Sequence, residues 1–270
     1  MRLFVSGLRK LLPRPATWVT IGLLVGLIVL VFLAVGGTAG QSGVRGAEAR
    51  LQLVTFPDAY RFVLSFIVSF GGLLALLYGA AIAGSEWTWG TLKSAVARGT
   101  GRASYMVTLF CAVAVMVGIG IVIATVVGVV AALAGARIAG VSTAGLGDSA
   151  TLGRLPLDLL KAWIGLAEET ALGYAIATVF RSQLAGIGAG LAVYFGTQFG
   201  ALFLPDVVKY LPFSVVSAAL GSDVGGGGGD GGGPTLATLD PTTALVVVVL
   251  WLVGAVAVSA IFTRRADIGG

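Results

Sequence analysis

Four charged side chains interrupt the otherwise apolar stretch Leu155–Phe180 and are the residues best suited to chemistry in this chain. They are Asp158, Lys161, Glu168 and Glu169. At about 100° per residue along a helix, all four lie within one arc of about 100° and form a stripe on one face. Carboxylates at membrane depth face a protein interior or a cavity. The stripe therefore has three open roles: a substrate path, structural hydrogen bonds to neighbouring helices or a second copy, or proton transfer.

Depth separates the four charges into two pairs. Counted back from Arg181, Glu168 lies about 20 Å and Lys161 about 30 Å along the helix. We expect Asp158 and Lys161 near the outer interface, where they can pair at i,i+3. Glu168 and Glu169 lie deeper, and neither has a basic partner within one turn of its own helix.

The elements around this stripe are those of a membrane protein. The chain is 57% hydrophobic and 11% charged, with a mean hydropathy of +1.00, whereas a soluble domain carries about 25% charge. Five runs contain no charged residue and are long enough to cross the bilayer as helices. They are 16–35, 62–84, 103–135, 183–204 and 242–263.

The charge distribution favours a sixth span at 156–180. With six spans and a cytoplasmic N-terminus, the inner segments contain ten of the 17 basic residues and two acids, Glu86 and Asp267. This bias follows the positive-inside rule, and a five-span arrangement would place the basic C-terminus outside. The sequence therefore predicts an all-α membrane protein with six transmembrane helices, both termini cytoplasmic, and a single transmembrane domain over 1–270.

The segments outside the spans have distinct characters. Residues 1–14 place apolar and basic side chains on opposite faces and predict an interfacial amphipathic helix before Pro13 and Pro15. Residues 84–102 form a polar inner loop with two tryptophans. The outer loop 205–241 begins with DVVKYLPFSVVSAAL, which predicts short outer helices, and continues with a Gly-rich tether at Gly225–Gly233.

Several kinds of catalytic site are excluded by composition. The chain has no histidine, which excludes a Ser-His-Asp triad and a His-Glu-x-x-His zinc site. None of its lysines follows a glycine, so it has no Walker A motif. The sequence also lacks a basic stripe with interleaved aromatic residues, the pattern typical of nucleic-acid binding. We therefore expect no catalytic residue, no metal and no nucleic-acid partner, and we interpret Gly22/Gly26 and Gly196/Gly200 as close helix-packing pairs.

The order of several short motifs resembles the ABC-2 type transporter permease family, along nearly the whole chain. The similar segments are Glu86 with Trp87 or Trp89, then Gly90-Thr91-Leu92 and the spaced Arg98 and Arg102; GYAIATVFRSQLAGIGAG; YLPFSVVSAAL; and FTRRADI. Two adjacent acids in the fourth span are not part of this pattern.

The resemblance implies the membrane subunit of a bacterial ATP-driven exporter. Two permease copies, identical or related, would pair in the inner membrane, and separate ATP-binding cassette subunits would supply ATP and Mg²⁺. The loop after the second span would form a cytoplasmic coupling helix that contacts the ATPase. Its apolar contacts would come from Trp87, Trp89 and Leu92, and its polar contacts from Glu86, Lys93 and Arg98.

Two other functions remain open from the residues alone. Glu168 or Glu169 would serve a proton-coupled secondary carrier, and a membrane scaffold without transport would need neither. Within the transport hypotheses, a cationic amphipathic or lipid-linked substrate is mildly preferred, because the predicted outer segments carry a net negative charge.

Overall fold

A computed structural model describes residues 2–39, 47–97, 99–221 and 239–266, which form helices joined by turns. Arg98 and the Gly-rich tether at Gly225–Gly233 lie outside the described residues. In chain order the helices are α1 Arg2–Leu11, α2 Pro15–Ala39, α3 Ala47–Val54, α4 Asp58–Thr88, α5 Thr91–Ala97, α6 Arg102–Ile138, a 3₁₀ helix Ala144–Gly147, α7 Ser149–Phe180, α8 Gln183–Phe203, α9 Pro205–Val208, α10 Ser214–Leu220 and α11 Pro241–Arg265.

Five helices of the described chain are long and apolar enough to cross a membrane: α2, α4, α6, α8 and α11. This result supports an all-helical, multi-pass membrane protein, as the composition predicts. Helix α7 has 32 residues, a length of about 48 Å. It is not among the five, because its charged side chains lower its hydropathy.

The ends of α4 and α7 differ from those of the spans predicted at 62–84 and 156–180. Helix α7 begins at Ser149 rather than near residue 156, because Asp148 caps it by accepting a hydrogen bond from the Thr151 backbone N–H at 2.8 Å. The Thr151 hydroxyl and N–H also hold the pKa of Asp148 below its usual range. Helix α4 continues to Thr88, so Glu86 lies in its last turn rather than in a loop.

Helices α4 and α7 pack side by side in the same chain direction, and two glycines bring their backbones together. A Cβ atom at Gly79 would overlap the carbonyl oxygen of Thr170. One at Gly173 would overlap the carbonyl oxygen of Leu76. Because α4 and α7 are in backbone contact here, α4 fixes the position of α7 and of its charged stripe.

The bundle has two ends, each closed by shorter elements. The α5 end contains α1, α5 and the α7–α8 turn, and here Arg102 donates to the carbonyl oxygen of Ala266 at 2.7 Å. The α10 end contains α3, α9 and α10. An apolar cluster lies under each end. The cluster at the α5 end joins α1, α4, α5, α6, α7 and α11. The cluster at the α10 end joins α2, α3, α4, α6, α7, α10 and α11.

Of the four glycines in the small-residue pairs singled out in the sequence, Gly200 makes a close contact, since its Cβ atom would lie 3.3 Å from Val208 of α9. A Cβ atom at Gly22, Gly26 or Gly196 would meet nothing within 4 Å. Close backbone contacts occur at other glycines, including Gly79 of α4, Gly173 of α7 and the Gly36–Gly135 pair between α2 and α6. The spacing of small residues therefore marks faces of α2 and α8 that this chain leaves open.

We expect Gly173→Ala to lower the free energy of unfolding by about 1–3 kcal/mol, because the added methyl group must push α4 away from α7. Thermal unfolding of the purified chain in detergent measures the change. Gly188→Ala is the matched control, since its Cβ atom would meet nothing within 4 Å. Equal effects of the two substitutions would contradict a special role for the α4–α7 contact.

Candidate functional site

The carboxylate of Glu86 is the centre of a buried polar cluster at the α5 end. Its side chain is 0% exposed, yet Oε2 lies 2.6 Å from Lys10 Nζ and Oε1 lies 2.7 Å from Arg14 Nη2. The hydroxyl groups of Thr91 and Tyr105 each donate a hydrogen bond of 2.6 Å to Oε2. One carboxylate therefore joins α1, the α1–α2 turn, α4, α5 and α6.

Local sequence brings these five groups together. Lys10 lies in the last turn of α1, and Arg14 stands in the turn before α2. Gly90 adopts a φ of +65°, a left-handed conformation that glycine tolerates, and this tight turn places Thr91 at the start of α5 beside the end of α4. Tyr105 lies in the first turn of α6. The cluster thus forms where four helix ends meet.

The predicted coupling residues divide into a buried set and an exposed set. Glu86 and Leu92 are buried, so each contacts groups of its own chain and holds α5 in place. Trp89 is 66% exposed, and Lys93 is also at the surface. The surface that α5 and its preceding turn offer to a partner is therefore formed by Trp89 and Lys93, with Arg98 outside the described residues.

Trp87, in the last turn of α4, and Trp89, directly after it, are each contacted by a basic side chain from another element. The guanidinium carbon of Arg181, in the α7–α8 turn, lies 5.4 Å from the centroid of the Trp87 ring. That of Arg14 lies 5.6 Å from the Trp89 ring. These distances are those of cation–π contacts. The loop after α4 is therefore tied to the α1–α2 turn on one side and to the α7–α8 turn on the other.

Sequence reasoning missed the roles of Lys10, Arg14, Tyr105 and Arg181, and used the basic residues among them as markers of topology. One signal was present. Glu86 and Asp267 are the two acids on the predicted inner side, against ten basic residues. Two acids among ten basic residues indicate ion pairs, although the spacing along the chain does not say which basic residue each acid contacts.

Glu168 and Glu169 lie inside the bundle, and each is 1% exposed. Both carboxylate oxygens of Glu168 and Oε2 of Glu169 are buried and accept no hydrogen bond. The Glu169 carboxylate lies against Gly72 of α4, where a Cβ atom would overlap it. A buried, unpartnered carboxylate is unfavourable in an apolar interior, so this pair requires an explanation beyond packing.

Asp158 and Lys161 occupy the same face of α7 toward the α10 end, and both are half-buried. The ion pairs within 4 Å among the described residues involve Lys10, Arg14 and Lys209, and none includes Asp158 or Lys161. The i,i+3 pair expected from the sequence does not form in the structure. The four charged residues thus share one face of α7, but Asp158 and Lys161 are half-buried whereas Glu168 and Glu169 are buried.

Both the Glu86 cluster and the Glu168–Glu169 pair are built from ionisable side chains. Among the described residues, no three His, Cys, Asp or Glu side chains lie close enough together to hold a metal ion. The Glu86 cluster links helices, whereas Glu168 and Glu169 are two buried acids that no basic side chain of the described chain pairs with. No protein-family profile matches this chain, and no curated protein matches its sequence.

We expect Glu86→Ala to lower the free energy of unfolding by about 3–5 kcal/mol, because it leaves Lys10 and Arg14 without their buried partner. Denaturant unfolding in detergent measures this loss. Asp206→Asn provides the control, since Asp206 pairs with Lys209 while 83% of its side chain is exposed, and its loss costs less than about 1 kcal/mol. A similar small effect at Glu86 would show that the cluster does not hold the helices together.

Proposed function

We propose that this chain is the permease subunit of an ATP-driven ABC exporter. The observation that carries the proposal is the short helix α5, held by Glu86 against α1, α4 and α6 with Trp89 and Lys93 at the surface. A movement of α5 caused by a partner protein would act on the ends of α1, α4 and α6 together. Such a link is what a transporter needs when a separate protein supplies its energy.

The energy source in this proposal is a separate ATP-binding cassette subunit. The chain has no Walker A motif of its own, so ATP and Mg²⁺ bind to that partner. The chain itself is not an enzyme, and the complex hydrolyses ATP. Trp89 supplies an aromatic anchor of the kind that dominates protein interfaces, and Lys93 supplies charge at its rim.

Helix α7 is the sixth span of the proposed permease. It lies beside α4, which is long and apolar enough to span, and it runs from the α10 end to the α5 end. The α5 end is then cytoplasmic and contains both termini, in keeping with its basic residues. The chain resides in the bacterial inner membrane, with α1 at the interface.

A second permease copy covers the open faces of α2 and α8. A Cβ atom at Gly22, Gly26 or Gly196 would meet no atom of the described residues within 4 Å. Small residues let helix backbones approach closely in membranes, and this makes these faces suitable for another helix as well as for lipid. The copy is either identical or related in sequence.

The main test measures ATP hydrolysis by an ATP-binding cassette subunit co-expressed with this chain. We expect hydrolysis to require both proteins, and Trp89→Ala or Lys93→Glu to weaken partner binding by about tenfold or more. Trp251→Ala is the matched control, an exposed tryptophan of α11 whose indole N–H donates to the carbonyl oxygen of Tyr210 near the α10 end. The proposal fails if the purified chain moves substrate down a proton gradient with no ATPase present.

A topology experiment tests the sixth span separately. Reporter fusions at Gly90 and at the C-terminus should be active on the cytoplasmic side, and a fusion at Gly147 on the outer side. Labelling of single cysteines at these positions in whole cells provides the independent measurement, with exposed Cys111 replaced by serine. Opposite locations for Gly90 and the C-terminus would contradict six spans.

The unpartnered oxygens of Glu168 favour a second candidate function, a proton-coupled secondary carrier. This carrier would transport without a partner and would lose gradient-driven uptake in Glu168→Gln. A scaffold without transport would show neither activity. Partner-dependent hydrolysis separates the exporter from both.

A further inference from the structure

Five residues on one face of α7 lead from the α10 end into the bundle. Asp158, Lys161, Gly165, Glu168 and Glu169 fall within one arc of about 100° at 3.6 residues per turn. The first two are half-buried, and the last two are buried. The boundary between partial exposure and full burial lies at Gly165.

Helix α10 crosses this face at Gly165. A Cβ atom there would overlap Val216, so the missing side chain leaves a notch that Val216 fills. Val215, Val216, Ala219 and Leu220 are buried, and α10 packs on α4, α7 and α11. Val216 therefore stands between the outer charges of the stripe and its two deep acids.

Both ends of α10 have left-handed backbone conformations. Phe213 precedes it with a φ of +71°, and Gly221 follows it with a φ of +88°. The first is strained for a residue with a side chain, and it is held by an edge-to-face contact with Tyr194 at 4.9 Å between ring centroids. Such residues absorb the backbone rotation when a short element moves.

The deep acids have no basic partner among the described residues. Glu168 has two unpartnered oxygens and Glu169 has one. No basic side chain of the described chain pairs with either of them. Gly72 of α4 leaves space for the Glu169 carboxylate, because a Cβ atom there would overlap it.

We propose that Glu168 and Glu169 bind the cationic group of the transported molecule, and that α10 closes this site with Val216. The proposal rests on the transport function argued above and adds the charge class of its substrate. A cation between the two carboxylates satisfies the oxygens that the chain leaves unpartnered. Withdrawal of α10 opens the Gly165 notch beside them.

The residues between the two halves of the stripe favour a bound molecule over side-chain proton transfer. From Lys161 to Glu168 the helix reads AWIGLA, without a hydroxyl, amide or acid. The indole N–H of Trp163 in this segment already donates to the carbonyl oxygen of Ala114 at 2.8 Å. A proton has no polar side chain of α7 to follow here, whereas a ligand enters when α10 moves.

The experiment measures equilibrium binding of radiolabelled tetraphenylphosphonium, a lipophilic cation, to the full chain in lipid nanodiscs. Binding to empty nanodiscs is subtracted. We expect saturable binding that weakens by about tenfold or more in Glu168→Gln and in Glu169→Gln, both near-isosteric. Asp206→Asn is the matched control at the α10 end and leaves the affinity unchanged. Triphenylphosphine oxide, which lacks net charge, binds wild type and variants alike.

A second variant tests closure with both acids intact. Val216→Gly removes the side chain that fills the Gly165 notch. We expect tetraphenylphosphonium to associate about tenfold faster with this variant, because access to the acids no longer requires α10 to move. The result also keeps the proposal open to refutation if an acid variant does not fold. An unchanged association rate would overturn the role of α10.

Two outcomes overturn the cation site: wild type fails to bind the probe, or the glutamine variants bind it as tightly as wild type. The assay contains no ATP and no partner, so its outcome is separate from that of the exporter. Partner-dependent hydrolysis without probe binding refutes the site alone. Acid-dependent binding without any partner-dependent hydrolysis refutes the exporter alone.

Discussion

The buried charge of Glu86 is the constraint on which the α5 end of this protein depends. A carboxylate with no exposed surface needs its cations close by, because an isolated charge is strongly unfavourable away from water. Lys10 and Arg14 therefore hold α1 and the start of α2 against the end of α4. Thr91 and Tyr105 extend the same requirement to α5 and α6. These helix ends form one unit because separating any of them weakens the same cluster.

The fold class could be predicted from the sequence because a helix that crosses the lipid core must be long and predominantly apolar. Long charge-free runs predict spans, and the five apolar helices follow these runs closely. The Glu86 cluster was not accessible, since Lys10 and Arg14 are distant from Glu86 along the chain. Their meeting depends on the left-handed turn at Gly90 and on the path of α1, which neither periodicity nor charge counting describes.

The charged stripe on α7 could be predicted from the sequence only in part. Helical periodicity places Asp158, Lys161, Glu168 and Glu169 on one face, but it does not tell which of them pair. Asp158 and Lys161 are not paired in the structure, whereas Asp206 and Lys209 are paired at the same spacing. Small-residue spacing was equally ambiguous. It occurs on the open faces of α2 and α8, whereas the closest helix contact uses isolated glycines of α4 and α7.

The parallel contact between α4 and α7 has a consequence for how this protein is made. In the proposed six-span arrangement, two adjacent acids make insertion of α7 into lipid unfavourable by itself. Helix α4 is synthesised earlier and offers Gly72 and Gly79, the positions where the Glu169 carboxylate and the Thr170 carbonyl lie. The apolar helix then acts as an intramolecular chaperone for the charged one. In this view, the glycines of α4 serve membrane insertion before they serve the finished structure.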